Sequence, residues 1–118
     1  MKLKKPVVYI EDKDFTSNGP KPYLKKFVLL IQGSFCGHCH HFLPVYQSVA
    51  NKFQDKLLFT TIQVDGSPPQ QQLAQLIRKW VPFNGVPYLV FYVNGEYKVY
   101  NGDRSESSVM EFISLYNK

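Results

Sequence analysis

Residues 26–43 read KFVLLIQGSFCGHCHHFL, and the spacing of their apolar residues changes partway along. From Lys26 to Gly33 the apolar run is unbroken, as in a central strand covered on both faces. From Gly37 onward the apolar positions are Cys39, Phe42, Leu43, Tyr46, Val49, Ala50 and Phe53, the three-and-four spacing of a helix with one buried side. Between these two patterns, residues 35–41 hold both cysteines and all three histidines of the chain. The junction of a central strand with a helix is where open α/β sheets put their sites. Pro44 falls inside the helical stretch, where an interior proline costs about 3 kcal/mol. Either the helix starts after it or the kink is accommodated.

Outward from this stretch, PVVYI (6–10) reads as a short β-branched strand. A polar segment with one apolar anchor, Phe15, follows it, then the breaker NGPKP at 18–22. Residues 56–66, KLLFTTIQVDG, read as the next strand, closed by Asp65-Gly66. Ser67-Pro68-Pro69-Gln70 has the layout of a capping box with proline at the first helical position, backed by Leu73, Leu76, Ile77 and Trp80. Residues 86–102 read as two strands around Asn94-Gly95, a strong short hairpin signal. Ser105, followed by Val109, Phe112, Ile113 and Tyr116 at helical spacing, opens a terminal helix. Strands alternating with helices predict a parallel-containing sheet with helices on both faces and an antiparallel hairpin at one side. No internal repeat interrupts this order.

The chain has 118 residues, which suits a single domain over 1–118 with a core of its own. Nine Phe, eight Tyr and one Trp exclude disorder for most of it. The net charge of +5 comes mostly from Lys2, Lys4 and Lys5, from Lys21, Lys25 and Lys26, and from Arg78-Lys79. These read as a solvated basic surface, and no nucleic-acid function is expected. The first residues lack the apolar run of a signal peptide, and no window is apolar enough for a membrane span. The C-terminal SLYNK carries no retention signal. As given, the chain is expected to work where it is made, in a reducing cytoplasmic compartment; a processed or excised lumenal domain is the alternative. In a reducing compartment a C-x-x-C pair points to catalysis or metal binding rather than to a structural bridge.

Three chemistries could use the cluster: a redox dithiol, a covalent haem anchor or a zinc site. A haem anchor would use Cys36 to His40 but also needs export and usually a second axial ligand, and the only methionines are Met1 and Met110. Zinc needs four ligands, and five donors on one helical turn cannot close a tetrahedron within a single chain, which leaves only a site shared between two chains. The dithiol reading fits best. Cys36 would sit at the first turn, near unpaired N–H groups and the positive end of the helix dipole, a setting that favours thiolate. Cys39, one turn on, would be more buried and within reach of a Cys36–Cys39 disulfide. Cys36 then attacks and Cys39 resolves, while His38 adds positive charge beside the thiolate and makes the pair a stronger oxidant. His40 and His41 read as exposed helix residues, or as a further positive contribution near the sulfurs.

These residues resemble the thioredoxin superfamily over nearly the whole chain, and most of all a catalytic domain of protein disulfide isomerase. The resemblance rests on FCGHC after an apolar strand, Pro44 five residues past Cys39, Asp65-Gly66 after the third strand and GVPYLVFYVNGE before the last. It implies a thioredoxin fold, α/β, with a mixed sheet of about five strands. It also implies exchange of disulfides with protein substrates held extended across Phe35, Gly37, His38, Val86 and Pro87. The Val86-Pro87 bond would be cis, and Arg104 in YNGDRS would swing toward Cys39 and lower its pKa. No cofactor or metal is implied. The partners would be cysteine-containing proteins and an unidentified redox partner, without nucleic acid or a membrane span.

Two departures from the family matter. The position six before the first cysteine, where the family buries a proton-shuttling acid, is Leu30, and its usual lysine partner is missing, with Thr61 and Gln63 at the candidate places. Losing both together avoids an unpaired buried charge and puts proton transfer at Cys39 in question. Phe35 replaces the family's tryptophan, and Trp80 lies elsewhere. The histidine in CGHC leans toward oxidation or isomerisation, whereas a cytoplasmic setting leans toward reduction. An oxidation system of the kind large cytoplasmic viruses encode would reconcile the two. A thioredoxin-like reductase and a non-catalytic binding module are the competing readings.

Overall fold

In the computed structural model, which describes residues 3–16, 19–53 and 56–117, the chain runs through ten elements and one 3-10 turn. They are β1 (Val7–Tyr9), the turn (Asp12–Asp14), β2 (Phe15–Thr16), β3 (Gly19–Pro20), β4 (Lys26–Gln32), α1 (Gly37–Phe53), β5 (Leu58–Gln63), α2 (Pro68–Arg78), β6 (Tyr88–Val93), β7 (Glu96–Val99) and α3 (Glu106–Tyr116). Met1 and Lys2 of the basic amino-terminal group, Asn18 of the breaker and Lys118 of the C-terminal stretch lie outside the described residues.

The main sheet has the order β1-β5-β4-β6-β7. β5 runs parallel to both β1 and β4, and β6 and β7 are antiparallel additions. β4 is central and takes a partner on each side, with Leu30 opposite Thr61 on one and Leu89 on the other. Phe27 through Ile31 are fully buried because successive side chains enter opposite cores. Val28 and Leu30 pack with Phe42, Tyr46 and Val49 of α1 and with Val109 and Ile113 of α3. Phe27, Leu29 and Ile31 pack with Leu73 and Ile77 of α2, and with Phe15. Burying one such side chain contributes roughly 1.5–3 kcal/mol. The apolar run is therefore what places helices on both faces.

α1 begins before Pro44 and continues through it. Pro44 is exposed, and so is His40, whose carbonyl the proline leaves without an N–H partner. Tyr46, fully buried, donates its hydroxyl to the Thr60 carbonyl at 2.7 Å and ties α1 to β5. The hairpin turn has Asn94 at φ 51° and Gly95 at φ 86°, the left-handed pair that a two-residue hairpin loop requires. The segment around Phe15, which the sequence presents as irregular, forms the small β2–β3 ladder. Among the described residues no helix is long and apolar enough to cross a membrane.

One expectation is corrected. Ser67 occupies the N-cap position of α2, but its side chain caps nothing. Gln70, the other half of the expected box, reaches across the sheet instead. Its Oε1 accepts the Gln63 N–H at 3.0 Å and its Nε2 donates to the Ile10 carbonyl at 2.9 Å. Ser105 does cap α3, accepting the Ser108 N–H at 3.2 Å. Ser105→Ala is therefore expected to cost about 1 kcal/mol in urea unfolding. Ser67→Ala should stay within about 0.5 kcal/mol; equal losses for the two would show that the capping assignment is wrong.

Candidate active site

β4 delivers the chain to the rim of the sheet, and three residues, Gly33 to Phe35, connect it to the cysteines. A Cβ on Gly33 would stand 2.7 Å from the Phe35 ring, so only glycine lets that ring fold back over the loop. The ring remains 71% exposed. Ser34 anchors the connection. Its N–H donates to Asp65 Oδ1 at 2.9 Å and its hydroxyl bonds Asp65 Oδ2. Its carbonyl accepts a hydrogen bond from His40 Nε2 at 2.7 Å. The Ser34 hydroxyl, then the Ser34 N–H, holds the Asp65 carboxyl below the usual carboxylate range. Asp65 and His40 thus fix the loop from β5 and from α1. His41 is exposed.

The two cysteines are free thiols, 8% and 1% exposed for Cys36 and Cys39. The Cys39 N–H donates to Cys36 Sγ at 3.0 Å, and the Cys36 thiol donates to the Val86 carbonyl at 3.4 Å. The Val86–Pro87 bond is cis. Burial pushes the Cys39 thiol up to about 12, and its hydrogen bond to Cys36 and the charge there add to this. The Gly33 backbone and, more weakly, the positive charge of Arg104 pull in the other direction.

The positions read from the sequence as replacing a buried acid and its lysine, Leu30, Thr61 and Gln63, are all neutral. Leu30 is fully buried, and the Thr61 hydroxyl opposite it donates to the Leu30 carbonyl at 2.8 Å while accepting from Gln32 Nε2 at 3.4 Å. Gln63 turns its amide to Asp65 at 3.1 Å. Neither candidate position carries a charge that could take the Cys39 proton.

An open groove of about 660 Å³ runs beside Cys36. Phe35, Gly37, His38 and Val86 line it, joined by Val64, Arg78 and Phe83. Pro87 and Arg104 line a separate cavity of about 260 Å³ together with Phe42 and Tyr100. The expected site residues therefore divide into a groove set around Cys36 and a flank set formed by Pro87 and Arg104. Sequence reasoning missed Ser34, Val64, Arg78 and Phe83 as site residues, and saw Asp65 as a strand terminator and a motif of the resemblance but not as the anchor of Ser34. None of them carries a local pattern that marks it, because topology alone brings them to the rim. Among the described residues no group of three His, Cys, Asp or Glu could hold a metal ion.

Fold and site together define a dithiol protein of the thioredoxin fold. The chain belongs to the thioredoxin family, whose model matches residues 6–115. It is 34% identical over 111 residues to the thioredoxin-like protein 453L of Invertebrate iridescent virus 6, covering 80% of each chain. It is 29% identical over 111 residues to protein disulfide isomerase-like 1-4 of Arabidopsis thaliana, covering 92% of this chain but 17% of that protein. Among solved structures, the first thioredoxin domain of mouse protein disulfide-isomerase A4 superposes with a TM-score of 0.77 at 18% identity, over 99% of this chain and 79% of that one. The J-Trx1 fragment of ERdj5 gives 0.73 at 19% identity, over 95% and 50%. At these identities the structural likeness concerns the fold alone. Thioredoxin-fold domains are typically thiol–disulfide oxidoreductases that act on cysteine-containing substrates.

The raised Cys39 value has a sign that can be measured. A folded thiol that keeps its proton above the value of an unfolded cysteine, about 8.5, stabilises the reduced protein fully below that pH. This contribution is lost as pH rises toward the folded value of about 12. In a ¹³C-cysteine NMR titration the Cys39 Cβ signal should show no midpoint below about pH 10, and Arg104→Ala should move it further up. A Cys39 midpoint near that of a free cysteine would contradict the effect assigned to burial.

Proposed function

We propose that the protein is a thiol–disulfide exchange enzyme of the disulfide isomerase or oxidase type, acting on protein cysteines through the Cys36–Cys39 pair. The observation that carries this reading is the setting of Cys36 Sγ, which receives the Cys39 N–H at 3.0 Å and lies 3.4 Å from the Val86 carbonyl at the mouth of a groove. In the reducing direction the Cys36 thiolate attacks a substrate disulfide. A Cys36–substrate bond forms, the substrate S–S bond breaks, and the released thiolate takes up a proton. Cys39, as thiolate, then attacks Cys36 Sγ; the mixed disulfide breaks, the second substrate thiolate leaves, and the protein retains the disulfide and has given up two electrons. Oxidation of a dithiol substrate is the same sequence reversed. His38 lines the same groove as Cys36, Phe35, Gly37, Val86 and Pro87 hold the substrate extended, and Arg104 favours ionisation of Cys39.

Cys39→Ser should trap mixed disulfides on Cys36 and Cys36→Ser should form none; absence of trapping with any protein disulfide would exclude covalent exchange. The direction follows from the reduction potential in glutathione buffers, read by alkylation and mass spectrometry. A value near about −180 mV marks a disulfide donor or isomerase, and one near about −270 mV marks a reductant. The neutral pair at Leu30 and Thr61 favours a second reading, a binding module that keeps the groove but not turnover. A double Cys36→Ser, Cys39→Ser variant that binds unfolded protein with unchanged affinity and effect would support that reading instead.

A further inference from the structure

The groove beside Cys36 combines apolar walls with a single strong cation. Phe35, Val64, Phe83 and Val86 supply the walls, Arg78 at the last turn of α2 lines it too, and none of the lining residues is acidic. The Arg78 guanidinium carbon lies 4.3 Å from the centroid of the Phe83 ring. Stacking of this kind holds the planar group in place while its N–H edges stay free to bind a carboxylate with two hydrogen bonds. Neither ion pair among the described residues, Lys13–Glu11 or Lys52–Glu106, involves Arg78. The acid next to the groove in sequence, Asp65, is already engaged by Ser34 and Gln63. The groove thus offers an exposed, positioned and uncompensated guanidinium.

We propose that Arg78 is a specificity-determining residue: the groove prefers cysteine peptides with an acidic side chain flanking the cysteine, whose carboxylate pairs with Arg78 while the sulfur reaches Cys36. This rests on the exchange reading and names its substrate class. One guanidinium among aromatic and aliphatic walls suits a peptide carboxylate, whereas a nucleic acid would call for a row of cations along its phosphates.

The test uses the reduced protein and two disulfide-containing model peptides, identical except that glutamates or lysines flank the cysteines on both sides. Each reduction rate is divided by that of the same peptide with dithiothreitol, which removes the effect of the flanking charge on the disulfide itself. The corrected glutamate-to-lysine ratio should be about threefold at low salt, in the range of an exposed charge pair. It should fall to near one at about 0.5 M sodium chloride. Arg78→Ala should bring the ratio close to one and Arg78→Glu should invert it. Lys52→Ala removes the same unit of charge near the far end of α1, about 20 Å from the cysteine end of that helix, and should leave the ratio intact. A ratio near one in the unaltered protein, or one that persists in Arg78→Ala or falls equally in Lys52→Ala, would overturn the proposal. If neither peptide is reduced, the exchange reading fails and this inference fails with it.

Discussion

The rest of the structure depends on a strand that cannot face water on either side. β4 buries Phe27 through Ile31 completely and gives alternate side chains to two separate cores. α1 and α3 must then cover one face and α2 the other, and the strand needs hydrogen-bonding neighbours along both edges, which β5 and β6 supply. The only way out for such a strand is over the rim of the sheet. There Gly33 to Phe35 turn the chain into α1, and the first helical turn carries the cysteines. The position of the site is thus a packing consequence, with Asp65 and His40 setting its fine geometry through Ser34.

The two sulfurs occupy different environments because of the same arrangement. Cys36 stands at the groove mouth with polar contacts to the Cys39 N–H and the Val86 carbonyl. Cys39, on the first turn of α1, is almost fully buried, and burial holds its thiol in the protonated form. On β4 and β5, Leu30 and Thr61 are uncharged and satisfy each other through a backbone carbonyl and a hydroxyl. A lone carboxylate there would be costly, and a carboxylate with a cation partner would have to recover its desolvation penalty. The neutral pair avoids both costs.

Legibility from sequence followed the range of the interactions. The β4 run, the α1 stripe, the Asn94-Gly95 turn and the Ser105 cap are local patterns, and each appears where it was read. The capping box at Ser67 is also a local pattern, yet Gln70 makes better use of its amide on Gln63 and Ile10, partners distant in sequence. The site shows the same division. Cys36, His38 and Cys39 announce themselves by spacing, and Val86 and Pro87 through a resemblance. Arg78 and Phe83 come from the end of α2 and the loop after it, and become part of the groove only when α2 packs on the sheet. Pro44 was ambiguous from sequence because its cost depends on whether water reaches the orphaned carbonyl, which is a property of the packed helix.

The outer strands have a consequence of a different kind. β1 is three residues long and follows Pro6; β7 is four residues long and exposes Glu96 and Lys98. An open sheet edge is a template for adding strands from other copies, and short length, proline and outward charge are the features that blunt it. Edge-to-edge stacking into aggregates therefore finds no long flat ladder on either side of this sheet. Under the exchange reading proposed above, the extended chains brought to Cys36 would themselves be candidates for strand addition, and these blunted edges give them little to pair with.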